Sequence, residues 1–135
     1  MIDAKNFPGR GKVAILRTRP ETVLDDYYKL MRLCDYDRNL PQNQDTLLKI
    51  NISWQIWYPG CSTTPWQLDG VIRTLLRDGY PRERLIAAHN NTVVVDAKEG
   101  AVNNRHAPLP QLLDDMVVSH ILSDDVFHRI FSQIV

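Results

Sequence analysis

With 135 residues, 44% of them hydrophobic, the chain can bury the core of one domain, which excludes a disordered polymer and leaves too little for two domains. Lys+Arg 16 against Asp+Glu 16 gives zero net charge, which argues against nucleic acid as a partner and against polybasic attraction to a membrane. No apolar run approaches the ~20 residues of a membrane span, no h-region opens the chain, and Cys34 and Cys61 cannot build a disulfide framework, so a cytoplasmic protein is expected.

Lys12 to Arg17 reads as a short buried strand, entered through the Pro8-Gly9-Arg10-Gly11 turn. Thr18 and Glu21 have capping-box spacing, with Pro20 suited to a first turn. The helix expected after them carries Val23, Leu24, Tyr27, Leu30, Met31 and Cys34 on one face, with Asp25, Asp26 and Lys29 largely outside it. Asp35 to Asp45 is polar, contains Pro41 and reads as a loop. Thr46 to Trp54 is the second strand, with Leu48, Ile50, Ile52 and Trp54 on one side.

After a loop holding Pro59, Gly60 and Cys61 comes the best-marked helix of the chain. Thr64 fits the N-cap, Pro65 the first helical position and Gln67 the capping box; Leu68, Val71, Ile72, Leu75 and Leu76 form the buried stripe. Gly79 and Pro81 end it. Leu85 to His89 is a third, short strand. Thr92 to Asp96 fits either a fourth strand or a buried helix start, and Ala97 to Pro110 reads as a polar loop. In the tail, Leu109, Leu112, Leu113, Met116, Val117 and Ile121 have helical spacing, as do Val126, Phe127, Ile130, Phe131 and Ile134 after a Ser123 cap.

The expected fold is therefore a single α/β domain over residues 1–135. It has three layers, a mainly parallel sheet with a βαβαβ start, and a helical tail over 109–135. Open parallel sheets bind ligands beyond the carboxyl ends of their strands. Those ends supply Arg17 and Thr18, then Asn51 and Ser53, then His89 and Asn90. The Cys61-Ser62-Thr63-Thr64 segment enters a helix whose first N–H groups favour an anion. Lys49 alternates with Asn51 and Ser53 along one strand face. Either that face lines a polar pocket or the strand is an edge with Lys49 in water.

The ligand so expected is a small anion, phosphate or carboxylate, with or without an accompanying metal, bound by Asn51, Ser53, Cys61, Ser62, Thr63, Thr64, Arg17 and Asn90. If the site is catalytic, Lys49 would stabilise negative charge and His89 would transfer a proton. Each residue also has a plainer reading. Thr64 can simply cap its helix, Arg17 can be solvated, His89 can be a hydrogen-bonded structural group, and Cys61 can pack a loop. His106, His120 and His128 are scattered without zinc-type spacing, so no metal ligands are assigned and the purified chain is expected to hold no stoichiometric zinc or iron. Neither a dinucleotide fingerprint, a Walker-type loop nor a nucleophile elbow is present. A different class of function, a non-catalytic assembly module, would use the apolar tail and the Trp54, Trp57, Tyr58 and Trp66 aromatics to make a homo-oligomer.

Lys49-Ile50-Asn51, Cys61-Ser62-Thr63-Thr64-Pro65 and the Gly79 stop resemble the domain of unknown function 362 family, over roughly residues 13–106. That family has a strand ending in Lys-Pro-Asn and a loop leading to Thr-Thr or Thr-Ser before a helix. Here Ile50 stands in place of the proline, and His89-Asn90-Asn91 in place of a Gly-Asp-Ser type of turn. Some members carry ferredoxin-like iron–sulfur segments. This chain has no such cysteine run, and the resemblance implies no cluster in it. Residues 109–135 match nothing in the family's pattern, so the resemblance implies a divergent, truncated or partner-completed end.

Overall fold

A computed structural model describes residues 11–88 and 95–106. Three helices and two strands follow in the order α1 (Val23–Leu33), β1 (Thr46–Lys49), α2 (Pro65–Arg77), β2 (Leu85–Ala88) and α3 (Ala97–Asn103), with short 3-10 turns at Tyr36–Arg38 and Arg82–Arg84. β1 and β2 pair in parallel, with Thr46 opposite Leu85 and Lys49 opposite Ala88. The ladder extends one bond further, from the Ile50 N–H to the Ala88 carbonyl at 2.9 Å. The chain is thus a mixed α/β structure built on a parallel strand pair. A parallel pair needs a crossover between its strands, and α2 supplies it.

The expected α2 is found with its boundaries and its stripe. Pro65 starts it, and Leu68, Ile72 and Leu75 are buried. It stops because Gly79 takes a left-handed conformation at φ 88°. The Gly79 N–H then reaches the Leu76 carbonyl at 3.1 Å and the Tyr80 N–H reaches Leu75 at 3.0 Å, closing a Schellman turn. The core gathers Ile50 and Ile52 from the end of β1, Leu68, Ile72 and Leu75 from α2, Tyr80, Leu85 and Ala87, and Val95 and Ala101 around α3. α3 approaches closely because Gly100 lacks a side chain. A Cβ there would sit 3.2 Å from Ile52 and 3.3 Å from Val95.

Four expectations are corrected. Lys12–Arg17 pairs with neither strand, and Val13 and Ile15 are 84% and 86% exposed. An apolar run becomes a buried strand only when a ladder partner takes up its N–H and C=O groups, and among the described residues none does so here. β1 also ends at Lys49 rather than Trp54, because the chain beyond it bonds to the Ser62–Thr63 loop. α1 begins at Val23, several residues after the expected cap. Lastly, Ala97–Asn103 is helical, capped by Asp96, whose side chain accepts the Glu99 N–H at 2.9 Å. His89, the disputed valines at 93 and 94, and the tail from residue 107 lie outside the described residues; Val95 is buried.

Asp26, expected outside the buried stripe, is only 7% exposed. Its carboxylate accepts from Thr18 at 2.9 Å, Thr22 at 2.5 Å and Lys29 at 2.8 Å. Both threonines give their hydroxyl protons to Asp26, and Thr22, the residue before α1, makes no side-chain cap bond. The Lys29 bond, then the Thr22 bond, hold the Asp26 carboxyl down at about 2, against the raising effect of burial. A carboxyl depressed in the folded state contributes stability above its unfolded pKa of ~3.9, lost as pH falls through the folded value. The stability difference between the wild type and Asp26→Asn is therefore expected to shrink from pH 5 to pH 2 in urea denaturation. A difference that stays constant over that window would show that the clasp is not ionic.

Candidate functional site

Three hydrogen bonds lace the loop before α2 onto the end of β1. The Thr63 N–H donates to the Asn51 carbonyl at 2.7 Å, the Asn51 N–H to the Thr63 Oγ1 at 2.9 Å, and the Ser53 N–H to the Ser62 Oγ at 3.2 Å. Asn51 in addition donates through Nδ2 to the Ser53 Oγ at 2.6 Å. The structure therefore brings Asn51, Ser53, Ser62 and Thr63 together, beside Thr64 at the start of α2.

The direction of these bonds matters for chemistry. Ser53, Ser62 and Thr63 each act as acceptors toward the protein, and among the described residues none of their hydroxyls donates. A hydroxyl has one proton to give besides its acceptor lone pairs. Three O–H donors thus remain at the end of β1, where Asn51 and Ser53 are exposed and Ser62 and Thr63 are partly so. Thr64 makes no side-chain cap bond, and its carbonyl accepts the Gln67 N–H at 3.0 Å.

Lys49 is exposed at the last position of β1, and its Nζ donates to the Ile50 carbonyl at 2.6 Å. That carbonyl and the Asn51 N–H held by Thr63 belong to one peptide unit. In a trans peptide the C=O and N–H point in opposite directions. The ammonium and the Thr63 hydroxyl are consequently fixed to opposite ends of one amide, with the charge on the β2 side, to which the Ile50 N–H also points. Cys61 is half-buried in the same loop, its N–H bonded to the Tyr58 carbonyl at 3.0 Å. Arg17 is exposed on the segment before α1, where the polar contacts of neighbouring Thr18 go to Asp26 and Arg19. His89 and Asn90 lie outside the described residues.

A concavity of about 600 Å³ lies between the start of α1 and α2, with Tyr28, Trp66, Arg73 and Arg77 in its wall. Its cations are already engaged. Arg73 pairs with Asp69 at 2.8 Å, and Arg77 stacks on the Tyr28 ring at 3.9 Å. Glu21 and Asp25 add negative charge to the same wall, so the groove does not favour an anion. Around Tyr36, the Asp78 carboxylate accepts the phenol proton, and the Arg32 guanidinium lies 3.4 Å from that carboxylate. Burial, then the Asp78 bond, raise the Tyr36 pKa, so this group is a fixed structural donor rather than an acid near neutral pH.

The sequence reading missed the ties that position the loop after β1. Gln55 accepts the Asp96 N–H through Oε1 at 3.1 Å and donates to the Glu99 carboxylate. Asn104, 1% exposed, donates to the Trp54 carbonyl at 2.8 Å and to the Gly100 carbonyl at 3.0 Å. Asp96 and Glu99 stand at capping-box spacing, a signal that locates α3. Nothing in the spacing of Gln55 or Asn104 announces their partners. Among the described residues no group of three His, Cys, Asp or Glu could hold a metal ion, and no helix is long and apolar enough to cross a membrane. Compared with protein-family models, curated proteins and solved structures, the chain shows no match.

Proposed function

We propose that the end of β1 and the start of α2 bind a small anion, phosphate or carboxylate. The observation that carries this reading is the set of three hydroxyls, Ser53, Ser62 and Thr63, used by the protein as acceptors and left with protons to give. An anion needs donors, and charge-assisted bonds to it are roughly twice as strong as neutral ones. The Lys49 ammonium, held on the opposite side of the Ile50–Asn51 peptide, adds positive charge at a distance and not by direct contact. The branch of the domain of unknown function 362 family that the Lys49-Ile50-Asn51 and Thr63-Thr64 motifs resemble is the family we propose for the chain.

The same reading extends to the rest of the fold. The two strands that pair among the described residues are marginally stable by themselves, and Val13 and Ile15, exposed and outside any ladder among those residues, are suited to a further strand beside β1. That would complete the βαβαβ start and a three-layer domain. Two free thiols, Cys34 exposed and Cys61 half-buried, suit a reducing cytoplasm. Nucleic acid and membrane are not partners in this reading, given the zero net charge. A catalytic role would add His89 as the proton carrier.

Titration calorimetry with inorganic phosphate and, separately, acetate tests the site. Saturable binding of one of them is expected, with the affinity of Lys49→Met about tenfold lower, the equivalent of ~1.4 kcal/mol. No saturation with either anion, or equal binding by Lys49→Met, would reject the site.

One observation favours the assembly class as a second reading: the loop after β1 exposes large aromatic side chains. In that reading copies pair through the Val126, Phe127, Ile130, Phe131 and Ile134 stripe to form a homo-oligomer, and the loop serves as a further contact.

A further inference from the structure

The loop after β1 exposes four large apolar side chains within five residues: Trp54 at 57%, Ile56 at 65%, Trp57 at 37% and Tyr58 at 56%. The loop is tied down at the Trp54 carbonyl by Asn104 and through the Gln55 side chain by Asp96 and Glu99. These side chains are therefore presented outward by a braced segment. Large apolar side chains exposed this close together in the chain mark a contact.

The path of the chain indicates what makes the contact. α3 ends in a Schellman turn, with Arg105 in the left-handed region at φ 60° and the His106 N–H on the Ala101 carbonyl at 2.9 Å. A non-glycine residue in that conformation turns the chain back sharply, and here the Arg105 guanidinium comes to 4.8 Å over the Trp57 ring. Asn104, the preceding residue, is the one bonded to Trp54. The described chain thus stops at His106, directly beside the aromatic loop. Only Ala107 and Pro108 intervene before Leu109, Leu112, Leu113, Met116, Val117 and Ile121, which recur at helical spacing.

We infer that residues 109–121 dock their apolar stripe on Trp54, Ile56, Trp57 and Tyr58 of the same chain. A two-residue tether gives the segment an effective concentration at the loop in the millimolar range, far above that of a second copy in dilute solution. The docking leaves the later stripe, around Phe127 and Phe131, for contacts between copies. It is independent of the anion site, which uses other residues of the loop.

Two measurements test the inference. In the untouched protein, hydroxyl-radical footprinting compares Trp54 with Trp66, which is 44% exposed. An uncovered Trp54 would be oxidised at least as fast as Trp66, whereas docking is expected to slow it severalfold below Trp66. In a Cys34→Ser, Leu113→Cys variant, Cys61 of the same loop and the new thiol are treated with a short bis-maleimide. A link within one chain, absent when the new cysteine is placed at Ser119 instead, is the expected product. A product found only at dimer mass would replace the chain's own segment by a second copy. Fast oxidation of Trp54, or two thiols that label singly and never link, would overturn the docking altogether.

Discussion

Leu75→Ala is expected to destabilise the protein by about 2–5 kcal/mol, the range for deleting a buried leucine side chain with partial collapse of the cavity. Leu75 is 0% exposed, in the centre of the stripe by which α2 joins the core. Its backbone carbonyl holds the Tyr80 N–H and is untouched by the substitution, so the loss isolates side-chain packing. Domains of this size are typically stable by about 5–15 kcal/mol, so one methylene-rich side chain carries a large share of the whole. In urea the midpoint should fall with an unchanged slope, since the surface exposed on unfolding barely alters. Val102→Ala is the matched control: Val102 is 58% exposed on α3, and its truncation should stay within about 0.5 kcal/mol. A Leu75→Ala loss as small as the control's would mean that α2 does not seat its stripe in a packed core.

The contrast between these two positions shows which parts of the fold were legible in the sequence. α2 was readable because several signals agreed on it: Pro65 at its start, Gly79 at its end and a 3.6-residue apolar repeat between them. The parallel pairing of β1 with β2 was readable from the alternation of helix and strand. Lys12–Arg17 was misjudged because apolar content reports only a wish for burial, and burial of a strand depends on a partner ladder elsewhere in the chain. Asp26 was misplaced for a related reason. Helical periodicity put it on the polar side, yet Thr18, Thr22 and Lys29 together satisfy its carboxylate and allow it to sink. The first misreading concerns a ladder partner distant in sequence, and the second a cluster of donors within eight residues of Asp26 that hydrophobic periodicity does not register.

The candidate site divides along the same line. That Asn51, Ser53, Ser62, Thr63 and Thr64 meet was accessible from the rule that ligands lie beyond the carboxyl ends of parallel strands. Which of their atoms are engaged was not. The hydroxyls serve as acceptors because the chain turns its own N–H groups onto them as it leaves β1, and this follows from the loop's path rather than from its composition. Lys49 was equally divided, since its alternation with Asn51 was visible while its bond to the Ile50 carbonyl was not.

Gly70→Val is expected to cost more than about 3 kcal/mol, exceeding the usual 1–3 kcal/mol of a single overpacked site. Gly70 is buried in α2 where α1 crosses it. A Cβ at Gly70 would stand 2.5 Å from the Tyr27 Cδ2, 2.8 Å from its Cγ and 2.9 Å from its Cβ. The ring could swing aside, but the Tyr27 Cβ is fixed to the α1 backbone, so the helix itself must move. Two opposing effects meet at Gly70→Ala. Alanine is favoured over glycine by about 0.8–1.0 kcal/mol in a helix interior, yet all three contacts lie below any normal carbon–carbon separation, and the steric loss should win. Alanine is therefore expected to destabilise modestly and valine severely. Tyr27→Ala, which removes the ring and keeps the Cβ, should recover only part of either loss in a double-mutant cycle. Complete recovery would place the conflict in the ring alone. A stabilising Gly70→Ala would mean that helix propensity governs the position and that α1 does not pack against α2 at Gly70.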